Sequence, residues 1–184
     1  MERYIELPIS EDIAVSLSAG DYVHLTGEML VARDAAHARI VESLEKGEGL
    51  MFDLKDNTIY YMGPTPARKG RPIGSAGPTT AGRMDKYTPM LLDHGLRAMI
   101  GKGNRSKEVV DAIVRNRAVY FAAVGGAGAL LSQRIVKSKL VCYRDLGTEA
   151  VRQIEVKDFP VIVAIDTRGN NIYDLDKQGT VRVS

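Results

Sequence analysis

Between Ser75 and Asp85 the chain reads SAGPTTAGRMD, with adjacent hydroxyls at Thr79 and Thr80 and a guanidinium at Arg83. Thr79 or Thr80 suits the N-cap of a following helix, and Pro78 stiffens the approach. Backbone N–H groups at a helix start, with Arg83 about one turn further on, would make an anion site. Arg83 can hold a carboxylate through two parallel hydrogen bonds.

Three other stretches carry candidate chemistry. In VARDAAHARI, Arg33 falls where a strand turns into a helix, and ligands collect at such strand ends in open α/β sheets. A solvated Arg33 with Asp34 as N-cap is the plain alternative, and His37, one turn on, reads as a structural histidine. In MIGKGNRSKEVV, Lys102 sits between glycines at a strand end, and Asn104 or Ser106 can cap the next helix. Gly103 follows Lys102 where a phosphate loop needs Ser or Thr, so a nucleotide site is not indicated. What remains is a fixed point charge aimed at an anion. The glycines of GGAGALLS lack dinucleotide spacing and suit close packing of a helix on the sheet.

Arg33, Thr79, Arg83 and Lys102 all follow expected strands or the long loop before Thr79. If those ends converge, three cations and a hydroxyl face one cleft, and a small dicarboxylate matches them. At about 4 Å and an effective dielectric near 20, each charge pair is worth on the order of 4 kcal/mol before desolvation.

The elements that must position these residues follow from pattern. YIELPI and DYVHLTGEMLVA read as strands, separated by turn residues Gly20 and Asp21. A helix is expected from about Asp34 to Lys46, with Ala36, Ile40, Val41 and Leu44 on one stripe. TIYYM is a strand. Residues 63–78, crowded with prolines and glycines, form a functional loop. TAGRMDKYTPMLLDHG reads as a helix with a proline interruption, LRAMIG as a strand and NRSKEVVDAIVRN as an amphipathic helix. AVYFAAV is a buried strand, GAGALLSQRIV a helix and KLVCYRD a strand. FPVIVAID and NIYDL close the chain as a strand and its hairpin partner. Strands alternating with helices imply parallel pairing and an α/β domain with extra β structure at its N-terminal end.

Composition narrows the classes. A chain of 184 residues suits one domain with a full core. Its formal charge of +2 does not suggest a nucleic-acid partner, so functional positive charge must be local. MERYIELPIS carries charge where a secretory signal needs an apolar stretch. AVYFAAVGGAGALL falls short of the roughly 18 residues of a membrane span, so a cytoplasmic protein is expected. The single cysteine, Cys142, excludes internal disulfides and any cysteine-ligated cluster built from this chain alone.

GPTPARKGRPIGSAGPTTAGRMD, preceded by RDAAHAR and followed by GKGNRS, resembles the β subunit of class I fumarate hydratases and the matching region of L(+)-tartrate dehydratases, in the iron–sulfur hydro-lyase family. DLGTEAV and VKDFPVIVAID extend the resemblance over nearly the whole chain. The resemblance implies a swivelling β/β/α domain, a mixed sheet with packed helices, over residues 1–184 as a single domain. It implies a partner α subunit whose three cysteines hold a [4Fe–4S] cluster that polarises the substrate, no metal ligand on this chain, and room for a higher (αβ)n oligomer. Carried over by position, Arg33, Arg83 and Lys102 are similar to the residues that clamp the substrate carboxylates. Thr79 is similar to the hydroxyl that removes the C3 proton of malate. A threonine hydroxyl is a weak base unless its surroundings lower its pKa; the neighbouring cations or a relaying carboxylate of the partner would have to do so. The expected reaction is reversible hydration of fumarate to L-malate. Tartrate dehydration to oxaloacetate, or a non-catalytic module gripping phosphorylated ligands through GKGNRSK, are the alternatives.

Overall fold

Apolar residues alternate between two faces of the strands, and each face builds its own core. The computed structural model describes residues 2–63, 67, 69–124 and 128–177, apart from the side chains of 128, 129 and 175–177. Strand β1 is Glu2–Glu6, β2 Tyr22–Val31, β3 Thr58–Tyr60, β4 Ala98–Gly101 and β5 Val119–Ala123. Each pairs parallel with the next, as strands joined through helices do. The last two strands, β6 (Ile135–Cys142) and β7 (Val151–Ile165), run antiparallel to their neighbours. The result is a mixed sheet of seven strands.

Strand β7 ties the two ends of this sheet together. One edge pairs with β2, from Tyr22↔Ile162 to Val31↔Arg152; the other pairs with β6 and β5. Hydrogen bonding therefore runs β2–β3–β4–β5–β7 and back to β2. Val31, Tyr60, Ile100 and Phe121 enter one core. Their chain neighbours Leu30, Ile59, Met99 and Tyr120 enter the second. A one-residue offset changes the core because side chains alternate with period two.

The second core lies under the helices. Helix α2 (Asp34–Glu45) buries Ala36, His37 and Ile40, and α3 (Thr88–Asp93) buries Leu91 and Leu92. Helix α4 (Lys107–Asn116) buries Val109, Ala112 and Ile113, a helical i, i+3, i+4 stripe. Ser106 caps α4, its Oγ accepting from Val109 N at 3.3 Å, a contact worth about 1 kcal/mol. None of the described helices is long and apolar enough to cross a membrane.

Several expected elements differ. NIYDL is no hairpin strand: Ile172–Lys177 is a helix, and only an isolated bridge joins Asn171 to Ile165. The Asn171 side chain accepts from Tyr173 N at 3.0 Å and starts that helix. The expected helix over TAGRMDKYTPMLLDHG is two pieces, a 3-10 turn at Ala81–Met84 and α3. Pro89 lacks an N–H and its ring would collide with the carbonyl of Asp85 in a continuous helix. Among the described residues of GAGALLSQRIV, helix character is confined to Gly128–Ser132, and β6 already starts at Ile135. A short helix, α1 (Glu11–Ser16), capped by Ser10, joins β1 to β2. Strand β7 begins at Val151, well before FPVIVAID.

Candidate active site

The site grows from the C-terminal ends of three parallel strands. Ala32 N donates to Tyr60 O (3.3 Å) and Tyr61 N to Ile100 O (2.8 Å), so β2, β3 and β4 stay paired to their last residues. Beyond those residues the strands part, and Thr79–Ala81 slots into the opening. Thr79 N donates to Tyr61 O (2.7 Å), Lys102 N to Thr79 O (3.3 Å) and Ala81 N to Lys102 O (2.9 Å). Gly101 makes the fit. A Cβ there would lie 2.8 Å from a Tyr61 ring carbon and 3.1 Å from the Ala81 Cβ. Thr79 and Lys102, distant in sequence, thereby become backbone partners.

Arg33, two residues past the end of β2, is extended and occupies the N-cap position of α2. Its guanidinium lies against Gly63, where any Cβ would collide with Nη1. Nη2 stands 3.7 Å from Glu149 Oε1, and the buried Nε has no protein partner among the described residues. Gly63 follows Met62, which bridges to Pro78, the residue before Thr79. Arg33 thus reaches the Thr79 segment through β3. On the adjacent residue, Asp34 Oδ2 accepts from Arg83 Nε at 2.9 Å and forms an ion pair with Nη2, also at 2.9 Å. Lys102 is exposed and makes no ion pair among the described residues.

Arg33, Thr79, Arg83 and Lys102 therefore gather at one end of the sheet, with Asp34 and Glu149 the carboxylates paired to the arginines. The expected helix-start anion site does not form. Thr80 makes no side-chain cap, and the 3-10 turn is only four residues long. Side-chain cations, not orphan N–H groups, carry the positive charge. Of the expected long loop, 64–66 and 68 lie outside the described residues, as do Gly125 and Gly126 of GGAGALLS.

His37 is structural, as its type and place on a helix suggested. It is fully buried, and Nδ1 donates to Arg33 O at 2.8 Å. Its ring meets Tyr61 edge-on at 5.4 Å between centroids. Burial, aided by the Arg105 charge, pushes its pKa down to about 4, against the opposing hydrogen bond to Arg33 O. The imidazole is neutral near pH 7 and props the backbone that carries Arg33.

Arg105 and Asp85 had no role in the sequence-based assignment. Arg105 has a fully buried side chain, and its Nε donates to Asp85 Oδ1 at 2.7 Å. Both residues lie inside the motifs RMD and GNRS, which was the available signal. Nothing in the local pattern distinguishes Arg105 from the exposed Lys107.

The chain's own side chains do not fit a [4Fe–4S] cluster. Cys142 ends β6, buried in the second core, and burial raises its thiol pKa. Among the described residues no three His, Cys, Asp or Glu side chains group to hold a metal ion.

Cations and a hydroxyl at the C-terminal ends of parallel strands stand where open α/β sheets take their ligands. Residues 3–175 match the model of the family described as Fumarase C-terminus, and the chain belongs to that family. It is 44% identical over 151 residues to the Escherichia coli protein named "Fumarate hydratase class I, anaerobic", covering 81% of this chain and 28% of that one. It is 44% identical over 153 residues to "Fumarate hydratase 1, mitochondrial" of Leishmania major, covering 82% and 28%. To the "Putative L(+)-tartrate dehydratase subunit beta" of Methanocaldococcus jannaschii it is 39% identical over 164 residues, covering 86% and 84%. The chain thus spans little more than a quarter of these two fumarate hydratases, but most of the length of the tartrate dehydratase subunit.

Proposed function

We propose that this chain is the carboxylate-gripping part of a hydro-lyase that reversibly hydrates fumarate to L-malate. The observation that carries this is the convergence of Arg33, Thr79, Arg83 and Lys102 at one end of the sheet in a member of the Fumarase C-terminus family. In this reading the domain is of the swivelling β/β/α type and closes over the active site of a cytoplasmic partner, the α subunit. That partner brings a [4Fe–4S] cluster on three cysteines, and the pair can assemble further as (αβ)n.

In this reading each residue takes a role that its surroundings support. Arg33 and Lys102 offer charge toward the cleft, Arg33 braced against Gly63 and Lys102 exposed at its glycine turn. Arg83 has committed Nε and Nη2 to Asp34, which leaves Nη1 for a substrate carboxylate and aims it. Thr79 holds the hydroxyl that takes the C3 proton of malate in the dehydration direction. Its backbone N–H and carbonyl are both spent on the flanking strands, so the side chain is fixed relative to the cations. Those cations favour the deprotonated form that a hydroxyl base requires.

A second reading, the β subunit of an L(+)-tartrate dehydratase, is favoured by the near-complete coverage of the Methanocaldococcus jannaschii subunit. The cations bind carboxylates, which both substrates carry. Coexpression with an α-type subunit, anaerobic purification and assay on fumarate, L-malate and L(+)-tartrate separates the two. Fumarate turnover exceeding tartrate turnover supports the first reading, and the reverse supports the second. A complex inactive on every dicarboxylate, with an isolated chain stabilised by phosphate or nucleotides, would leave only a binding module.

A further inference from the structure

Three segments carry the site: the residues just after β3, the stretch from Thr79 to Thr88, and the turn from Lys102 to Ser106. One buried side chain touches all three. Arg105 sends Nε to Asp85 Oδ1 at 2.7 Å, and Nη2 to Thr88 Oγ1 at 2.9 Å and to Tyr61 OH at 3.2 Å. Its guanidinium lies 5.2 Å from the Tyr61 ring centroid and 4.8 Å from that of Tyr120. The second oxygen of Asp85 accepts from Ser106 N at 2.7 Å. The Asp85 carboxylate therefore closes a two-point clamp between the segment bearing Thr79 and Arg83 and the segment bearing Lys102.

The remaining contacts tighten the lysine turn. Tyr120 OH, whose ring lies beside the Arg105 guanidinium, donates to Gly103 O at 2.8 Å. Asn104 Oδ1 accepts from Arg105 N at 2.8 Å and from Asn171 Nδ2 at 2.9 Å. Gly103 itself takes a left-handed φ of 86°, which suits glycine and gives the turn little stiffness of its own. Lys102 itself is tied to Thr79 and Ala81 through its backbone, and the rest of the turn is stiffened by Arg105 and its neighbours.

We infer that Arg105, paired with Asp85, is a positioning residue that sets Lys102 against Thr79 and Arg83. The inference rests on the proposed hydro-lyase reading for its effect on turnover, but not for the clamp itself. A planar five-donor fork makes the Asp85, Thr88 and Tyr61 contacts together. A lysine keeps the charge and about the same reach, yet cannot make all three.

The test uses Arg105→Lys and Asp85→Asn in the coexpressed αβ complex, with Arg105→Lys/Asp85→Asn as the double variant. Amide hydrogen exchange is followed at Thr79, Ala81, Lys102 and Ser106, whose N–H groups bridge the three segments. Faster exchange at these amides in both single variants is expected, with the β5–β7 amides unchanged. On the preferred dicarboxylate, kcat should fall about 10- to 100-fold, as angstrom-scale misplacement does, and the double variant should lose no more than the worse single. Wild-type kcat in a folded Arg105→Lys complex would overturn the inference. So would exchange rising uniformly over the fold, or losses that multiply in the double variant. An inactive wild-type complex would instead sink the hydro-lyase reading, and the exchange pattern alone would then decide for or against the clamp.

Discussion

Gly63→Ala separates site geometry from stability. Gly63 has no left-handed φ, so alanine strains no backbone there. The conflict is with Arg33. An added Cβ would lie 2.8 Å from Arg33 Cζ and 3.3 Å from Nε, and closer still to Nη1. Carbon atoms rest at about 3.5–4.0 Å, so the guanidinium must shift by about 1 Å. Moving the end of a flexible side chain off its rotamer costs about 1 kcal/mol, and in a chain of this size that lowers Tm by only about 2–4 °C. A 1 Å displacement of a carboxylate-binding cation, by contrast, can lower kcat/KM on the order of 10²-fold. Steady-state assays of the αβ complex beside thermal melts of the same samples measure both. Because alanine acts through Arg33, the Gly63→Ala/Arg33→Ala double variant should lose no more activity than Arg33→Ala. Near wild-type kcat/KM in a folded Gly63→Ala complex, or losses that multiply in the double variant, would refute the placement of Arg33.

Thr79→Ala should leave KM close to that of the wild type while kcat falls at least about 100-fold, as loss of a proton-transfer group does; steady-state kinetics check this, and unchanged kcat assigns the base elsewhere. Gly101→Val should wedge the Thr79 segment away from β4 and cost about 1–3 kcal/mol, read by urea denaturation of the isolated chain. His37 gives a pH dependence. Its folded pKa of about 4 lies below the ordinary histidine value of 6.5, so the unfolded chain binds the extra proton between those values. Stability is full above about pH 6.5 and declines as pH falls toward 4, by about 3 kcal/mol in total. Denaturant melts across that window should show the slope in the wild type and a flatter profile in His37→Gln.

Local chemistry in the sequence set much of this molecule. The stripes of α2 and α4, the apolar strands β2–β5 and the Ser106 cap are short-range patterns whose physics acts within one or two turns. The motif residues Arg33, Thr79, Arg83 and Lys102 were legible for the same reason: each belongs to a turn or strand end whose composition is unusual by itself. Pairing between distant segments was not legible. Strand β7 meets β2 across some 120–140 residues of chain, and no local window contains that information. The break between Met84 and Thr88 was partly visible through Pro89, whereas the helix at Ile172–Lys177 depended on a side-chain cap that competes with a strand of equal plausibility. Burial of Arg105 is the clearest case. Its sequence neighbourhood is that of an exposed helix start, and only the convergence of Tyr61, Asp85, Thr88 and Tyr120 supplies partners enough to offset removing a guanidinium from water.

All of it depends on one spatial fact: β3 and β4 splay past Tyr61 and Gly101, and the threonine segment fills the gap. Residue types alone name the groups whose charge and hydrogen bonds could hold an anion. Whether they face one another is decided by tertiary packing, because charge and hydroxyl act over a few ångströms while the chain separates them by tens of residues.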